Sequence, residues 1–354
     1  MSKVSPSYRQ PLYWGLLHGI NDFAAGYMLA NYMLLHGPVN GSLLLVLYAI
    51  IGFGGQLPVG FWLDSHQQIK PFAWASLLLL PLGMLAYGVH GPTGIIIAGL
   101  SSAWLHVTGG TVCLQQRNDK AGPLALFTAP GVLGLTIGGA LGHMGYEVLW
   151  VGLAAALPIG WSVLRNPLPQ YQPPAQKQTQ LDAHDWLMLG ILVVMCFRSF
   201  LFDVINQVAH LHPSGIVIIG LSAFAGKIIG GYAADAIGWK KYVYISLPLA
   251  LLLFQFGKDN IVALSFGVAC LQSSVPITLL MMARSLPLYP ATATALSLGT
   301  SVALAGLPLY MAPSGTVIHW FQNNWLSLAF FAGLLVFTYG LLRLMARKRP
   351  FISP

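Results

Sequence analysis

Three polar side chains interrupt an otherwise apolar run in the stretch LLHGINDFAAGY, residues 16–27. His18 and Asp22 are residue types that take up and release protons, and Asn21 beside them offers an amide. An ionised side chain at the centre of a bilayer costs about 2.5–3.5 kcal/mol on insertion scales, so it is expected to face a cavity or a partner. At a rise of ~1.5 Å per residue, Asp22 falls ~15 Å into a first span, near the midplane of a ~30 Å hydrocarbon core. His18 lies one turn away on the same helix face. The chemistry on offer is proton exchange, with Asp22 as the proton-coupling carboxylate and His18 as its relay or as a solute contact.

A second polar set occurs in FRSFLFDVINQ, residues 197–207. Arg198 falls near mid-depth of a seventh span, and Asp203, Asn206 and Gln207 follow toward its outer end. With Asn21 and His106, these four are the candidate substrate contacts. A pair between Asp22 and Arg198 would neutralise both charges at rest and be released by protonation or by an anionic solute. Thr108, Gln272, Ser273 and Ser274 come next, although small hydroxyls commonly bond their own helix backbone. Lys227 is expected to snorkel toward the cytoplasm. A divalent-cation reading with His18, Asp22 and Asn206 as ligands has too few donors, so neither metal nor cofactor is expected. Cys113, Cys196 and Cys270 all lie in apolar stretches and are expected to be packing residues.

The elements that must position these groups follow from composition. The 354-residue chain is 56% hydrophobic and 7% charged, against roughly 25% charged in soluble domains, so it is a membrane protein. Its net charge of +8 forms no basic face, so no nucleic-acid partner is expected. Stretches of about 20 mostly apolar residues predict spans near 11–35, 41–64, 71–90, 92–115, 121–144 and 147–165. A second set follows near 185–208, 213–235, 239–257, 260–283, 286–311 and 325–347. The expected architecture is all-α, with twelve spans in two six-helix bundles, residues 1–165 and 185–354. The Pro- and Gln-rich segment 166–184 between them is expected to be a cytoplasmic linker. The N-terminal MSKVSPSYRQ lacks the short apolar core and small-residue cleavage site of a removable signal.

With the N-terminus inside, Lys3, Arg9, Lys70, Arg117, Lys120, Arg165, Lys177, Lys240, Lys241, Arg284, Arg343, Arg347, Lys348 and Arg349 all fall on the inner side. Only Lys258 falls outside, which orients both termini to the cytoplasm. The halves also repeat. GFGGQLPVGFWLDSHQQIK (52–70) and SAFAGKIIGGYAADAIGWKK (222–241) align with Gly60 on Gly231, Asp64 on Asp235 and Lys70 on Lys241. Parallel repeats of this kind are a signature of transporters whose halves rock about a central site.

On these two loops the chain resembles the major facilitator superfamily of secondary transporters. The second copy of the motif Gly-x-x-x-Asp-x-x-Gly-x-Lys/Arg-Lys/Arg holds Gly231, Asp235, Gly238, Lys240 and Lys241; in the first, Ser65, His66, Gln67 and Gln68 replace the basic residues and a glycine. The resemblance implies a cytoplasmic gate of Gly60, Asp64, Lys70, Gly231, Asp235, Gly238, Lys240 and Lys241, each aspartate meeting a cation or the start of a neighbouring helix. Within the superfamily the chain looks most like the fosmidomycin-resistance efflux group, on HGIND (18–22), HVTGG (106–110), RSF (198–200) and ITLLMMARSLPLYPATATALSLG (277–299). Gly134, Gly138 and Gly139 resemble an antiporter motif whose proline is Leu135 here. No P-loop, HExxH, GxSxG or strand-borne GxGxxG is present, so an intramembrane enzyme is not expected. The expectation is a monomeric transporter of a small solute in a bacterial inner membrane, coupled to protons. Export by antiport is preferred, and uptake and divalent-metal export remain open.

Overall fold

The computed structural model describes residues 6–117, 119–171, 183–209, 214–311 and 315–346. The central part of the expected linker, 172–182, and Lys3, Lys177, Arg347, Lys348 and Arg349 lie outside the described residues. Every regular element among the described residues is helical: α1 (Pro6–His36), α2 (Pro38–Ala49), α3 (Gln56–His66), α4 (Ile69–Val89), α5 (Gly91–Gln116), α6 (Gly122–His143) and α7 (Leu149–Arg165) come from the first half of the chain. The second half supplies α8 (Ala183–Ala209), α9 (Gly215–Ile237), α10 (Trp239–Phe256), α11 (Ile261–Gln272), α12 (Val275–Ser285), α13 (Pro290–Ala295), α14 (Ser301–Met311), α15 (Thr316–Gln322) and α16 (Asn324–Ala346). Two π-helical turns, Ile50–Gly54 and Leu296–Thr300, join α2 to α3 and α13 to α14. They touch each other where the two halves meet. Short π segments inside helices often sit at functional sites.

Eight of the described helical stretches are long and apolar enough to cross a bilayer. The remaining expected spans are helical but miss that criterion for visible reasons. Polar residues punctuate α1, α7 has only 17 residues, α10 opens on Lys240 and Lys241, and the span expected at 286–311 starts only at Pro290 and is α13, a π-helical turn and α14. The short helix α15 was not anticipated.

Local chemistry explains many of the boundaries. Prolines open α2, α5, α6, α12 and α13, where a missing N–H leaves no bond unmade. Asn260 caps α11 by accepting from Val262 N (2.9 Å) and Ala263 N (3.3 Å). Gly238 ends α9 with φ 91°, and at the matching place in the first repeat Gln67 ends α3 with φ 57°. Gln67 is left-handed helical there (ψ 24°), whereas Gly238 combines its positive φ with an extended ψ of 132° that glycine tolerates.

Small residues set the closest helix contacts. A Cβ on Gly15 or Gly26 of α1, or on Gly134, Gly138 or Gly142 of α6, would collide with the facing backbone. The glycine run of α6 thus serves tight packing against α1, while Gly139 faces open space. All three cysteines are free. Trp14 is completely buried beside Gly109.

Candidate functional site

Between the two halves lies a cavity of about 410 Å³. From the first half it is lined by His18, Asp22, Leu29, Leu45, Phe53 and His106, and from the second by Arg198, Asp203, Gln207, Lys227, Gln272 and Leu309, among others. On α1 the lining begins at His18 and continues to Leu29, on α8 it runs from Arg198 to Gln207, and on α14 it reaches Leu309. The cavity therefore extends from mid-helix away from the ends that carry Asp64 and Asp235.

Asp22 sits at the centre of the first-half wall. Its Oδ2 lies 3.1 Å from His18 Nε2, and its Oδ1 lies 3.8 Å from His106 Nε2. The two imidazoles meet edge to face, with centroids 4.3 Å apart. Each ring is anchored from behind: His18 Nδ1 is 2.8 Å from the Phe127 carbonyl, and His106 Nδ1 is 2.7 Å from that of Ser102. A carbonyl oxygen only accepts, so each Nδ1 carries a hydrogen and each ring turns its Nε2 toward Asp22. Asn21 donates to Asp22 Oδ1 (3.0 Å) and accepts from Ser101 Oγ (2.9 Å). It is 2% exposed and lies behind the carboxylate, so it orients Asp22 and is not a cavity contact as expected. Gly131 completes the pocket, because a Cβ there would strike the His18 ring and come within 2.7 Å of Asp22 Oδ2.

Arg198 and Asp22 line one cavity but do not pair. Arg198 Nη1 donates to Thr278 Oγ1 at 2.6 Å, and the contacts of Asp22 go to His18 and His106. The reason is proximity within each half: His18 is one helical turn from Asp22, whereas Arg198 sits on the opposite wall. Lys227 points into the cavity and donates to the Thr128 carbonyl at 3.1 Å, a contact between halves, where snorkelling toward the cytoplasm was expected. Asp203 and Gln207 line the cavity; Asn206, half-buried one position earlier, is not among the lining residues. Of the further hydroxyls, Ser273 and Ser274 donate to their own helix carbonyls, and Thr108 packs with Ser76.

At the opposite end, each repeat's aspartate crosses to the other half. Asp64 accepts from Ala291 N (3.0 Å), Thr292 N (2.8 Å) and Thr292 Oγ1 (2.6 Å) at the start of α13. Asp235 accepts from Ala121 N (2.8 Å) and Gly122 N (2.9 Å) at the start of α6. A carboxylate on a helix start satisfies orphan N–H groups and meets the positive end of the dipole. The paired glycines allow the approach: a Cβ on Gly60 would lie 2.9 Å from Ala291 O, and one on Gly231 would lie 2.5 Å from Ala125 Cβ. Tyr171 adds its hydroxyl as a donor to Asp64, and burial beside that carboxylate pushes the phenol's pKa up. No sequence signal marked Tyr171. Lys240 lies over the Trp239 ring, and among the described residues Lys70, Lys240 and Lys241 form no ion pair.

The fold is found in solved membrane transporters. The fucose:proton symporter FucP of E. coli superposes with a TM-score of 0.67 at 13% identity, over 95% of this chain and 98% of that one. A bacterial homologue of the iron transporter ferroportin, in an outward-facing state, gives 0.65 at 13% identity over 97% and 100%. The protein is thus a multi-pass, all-helical membrane protein with the major facilitator fold. No family model matches the sequence. A polyketide synthase, GfsA of Streptomyces halstedii, is 27% identical over 169 residues, 48% of this chain. The chain spans only 2% of that synthase's length.

Proposed function

We propose that the protein is a secondary transporter that moves a small solute by alternating access, exporting it in exchange for protons. The observation that carries this reading is the cavity between the halves, with ionisable side chains from both walls meeting near mid-helix. Intramembrane ionisable groups mark solute and proton paths. Asp22 is the coupling carboxylate, with His18 and His106 as its proton partners. Arg198 and Lys227 form a cationic wall opposite, which suits the anionic group of an organic anion or a zwitterion.

Twelve spans in two six-helix bundles, residues 1–165 and 185–354 with a linker between, account for the halves. The Lys and Arg distribution supports cytoplasmic termini, and the membrane proposed is a bacterial inner membrane. The contacts of Asp64 and Asp235 then form a cytoplasmic gate in its shut state, Gly60 and Gly231 permit close packing, and Gly238 turns the loop that carries Lys240 and Lys241. A single chain holds both walls, so the monomer suffices. Placement near the fosmidomycin-resistance efflux group draws support from position, since HGIND, HVTGG and RSF supply His18, Asp22, His106, Arg198 and Ser199 to one cavity.

Solute-driven proton flux in reconstituted vesicles, measured across a panel of organic anions, zwitterions and amphipathic drugs, tests the proposal. Proton movement opposite to the solute is expected. Movement in the same direction would assign uptake, as the name of the fucose:proton symporter describes for that protein. A wild-type protein that moves solute with no proton flux would overturn the coupling.

A further inference from the structure

We infer that His18, Asp22 and His106 bind a divalent transition-metal ion of the zinc class, with one coordination position open to the cavity. The three side chains each bring a ligand atom within 4.8 Å of the others. Metal–ligand bonds of ~2.0–2.2 Å at tetrahedral angles separate ligand atoms by ~3.4 Å. Loading therefore draws the widest pair together by up to about 1.4 Å, which rotation of the aspartate side chain and small shifts of the rings supply.

The hydrogen bonds behind the rings carry the inference further than proximity does. With each Nδ1 hydrogen committed to a carbonyl, of Phe127 at 2.8 Å and of Ser102 at 2.7 Å, both Nε2 atoms are turned toward one carboxylate. His18 Nε2 and Asp22 Oδ2 face each other at 3.1 Å, so the position between them is filled by a proton or by a metal ion that displaces it. Metal-binding histidines show this same anchoring, their second nitrogen donating to a backbone carbonyl or carboxylate that fixes the ring. Asn21 plays the corresponding part for the carboxylate.

Two imidazoles and one carboxylate form the donor set of open, three-ligand zinc sites, and imidazole also suits cobalt, nickel and iron. Space is available on the cavity side, since His18, Asp22 and His106 all line the cavity. The cationic side chains of the same cavity do not forbid a cation: Arg198 is held by Thr278, Lys227 by Thr128, and the carboxylates of Asp22 and Asp203 offset their charge. The sequence pointed to no metal, and the set weighed there and set aside held Asn206 where His106 stands here. The inference concerns binding and stands whether or not the transport reading does.

The test is equilibrium binding to the purified, tag-free full-length protein in detergent. Titration with zinc chloride by calorimetry is expected to give one ion per chain with a dissociation constant of about 1 μM or tighter. Cobalt chloride is expected to give the strong visible bands of a four-coordinate site. His18→Asn and His106→Asn are each expected to weaken zinc binding at least tenfold, while His36→Asn, outside the cluster, leaves it unchanged. Monodisperse wild-type protein that shows no saturable binding below about 1 mM would overturn the inference. So would undiminished affinity in the double variant. Should the variants aggregate, the wild-type cobalt spectrum decides, because the weak bands of a six-coordinate, all-oxygen site exclude the imidazoles.

Discussion

Asp64 and Thr292, 228 positions apart, are joined twice: the carboxylate's Oδ2 accepts from the threonine's N–H at 2.8 Å and from its hydroxyl at 2.6 Å. With Asp235 on Ala121 and Gly122, the repeated motif closes one end of the molecule from both sides.

Hydrogen bonds to a charged group are worth about 1.5–3 kcal/mol each. Asp64→Asn or Asp235→Asn is therefore expected to shift the equilibrium toward a state open at this end by roughly tenfold to a hundredfold. Spin labels at Ser65→Cys and Ala236→Cys, in a background lacking the native cysteines, would report it as a longer distance population. An unchanged distance distribution in both variants would refute the gate.

Gln67 is the one described non-glycine residue with positive φ, and its repeat partner is Gly238. Gln67→Gly removes a left-handed conformational penalty of about 1 kcal/mol. Because glycine also gains freedom in the unfolded chain, the net stabilisation is expected to be smaller, roughly 0.5 kcal/mol. Thermal unfolding in detergent would show a modest rise in midpoint; a fall would mean that the side chain makes a contact that outweighs the strain.

Asp22→Asn keeps the shape of the triad and removes its titratable carboxyl, so pH-gradient-driven transport is expected to collapse while solute binding persists. Gly131→Ala reaches the same cluster sterically, by placing a methyl group against His18 and Asp22. Its expected effect on coupling is at least tenfold, with little change in expression. Coupling that survives Asp22→Asn would remove this carboxylate from the proton path.

Arg198 is 6% exposed and its one hydrogen bond to another described side chain runs to Thr278. Thr278→Val leaves a buried guanidinium N–H without that partner, at a cost of about 1–3 kcal/mol. Solute affinity is expected to fall about tenfold, and Arg198→Lys, which cannot reproduce the planar fork, is expected to fall further. Competition binding with an anionic solute measures both.

The Arg117–Asp119 pair on the loop before α6 is the contrasting case. Its hydrogen bonds of 3.0 and 3.1 Å hold the Asp119 carboxyl below its ordinary 3.8. A depressed carboxyl stabilises the folded state above its ordinary pKa, and that contribution disappears as pH falls through the lowered value. The pair is solvent-exposed, so Asp119→Asn is expected to change stability by less than about 1 kcal/mol at neutral pH. A larger shift in unfolding midpoint would show that the loop does more than bridge two helices.

Much of the molecule follows from local sequence. Apolar runs set the helices because a bilayer leaves backbone groups no other partner. The repeated Gly-x-x-x-Asp marked Gly60, Asp64, Gly231 and Asp235, and the polar interruption of α1 marked His18 and Asp22. Tertiary structure decided what those residues meet. His106 lies 84 positions from Asp22 and reaches it only through the packing of α5 against α1. Lys227 was read from its distance along the chain to Asp235, but the contact of α9 with α6 turns it onto Thr128. Arg198 pairs with a threonine because walls on opposite sides of a cavity stay apart while helices within a half touch. Spacing along a helix fixes which face a side chain shares with its neighbours. Which face of another helix lies opposite depends on packing across the whole chain, and no local pattern encodes it.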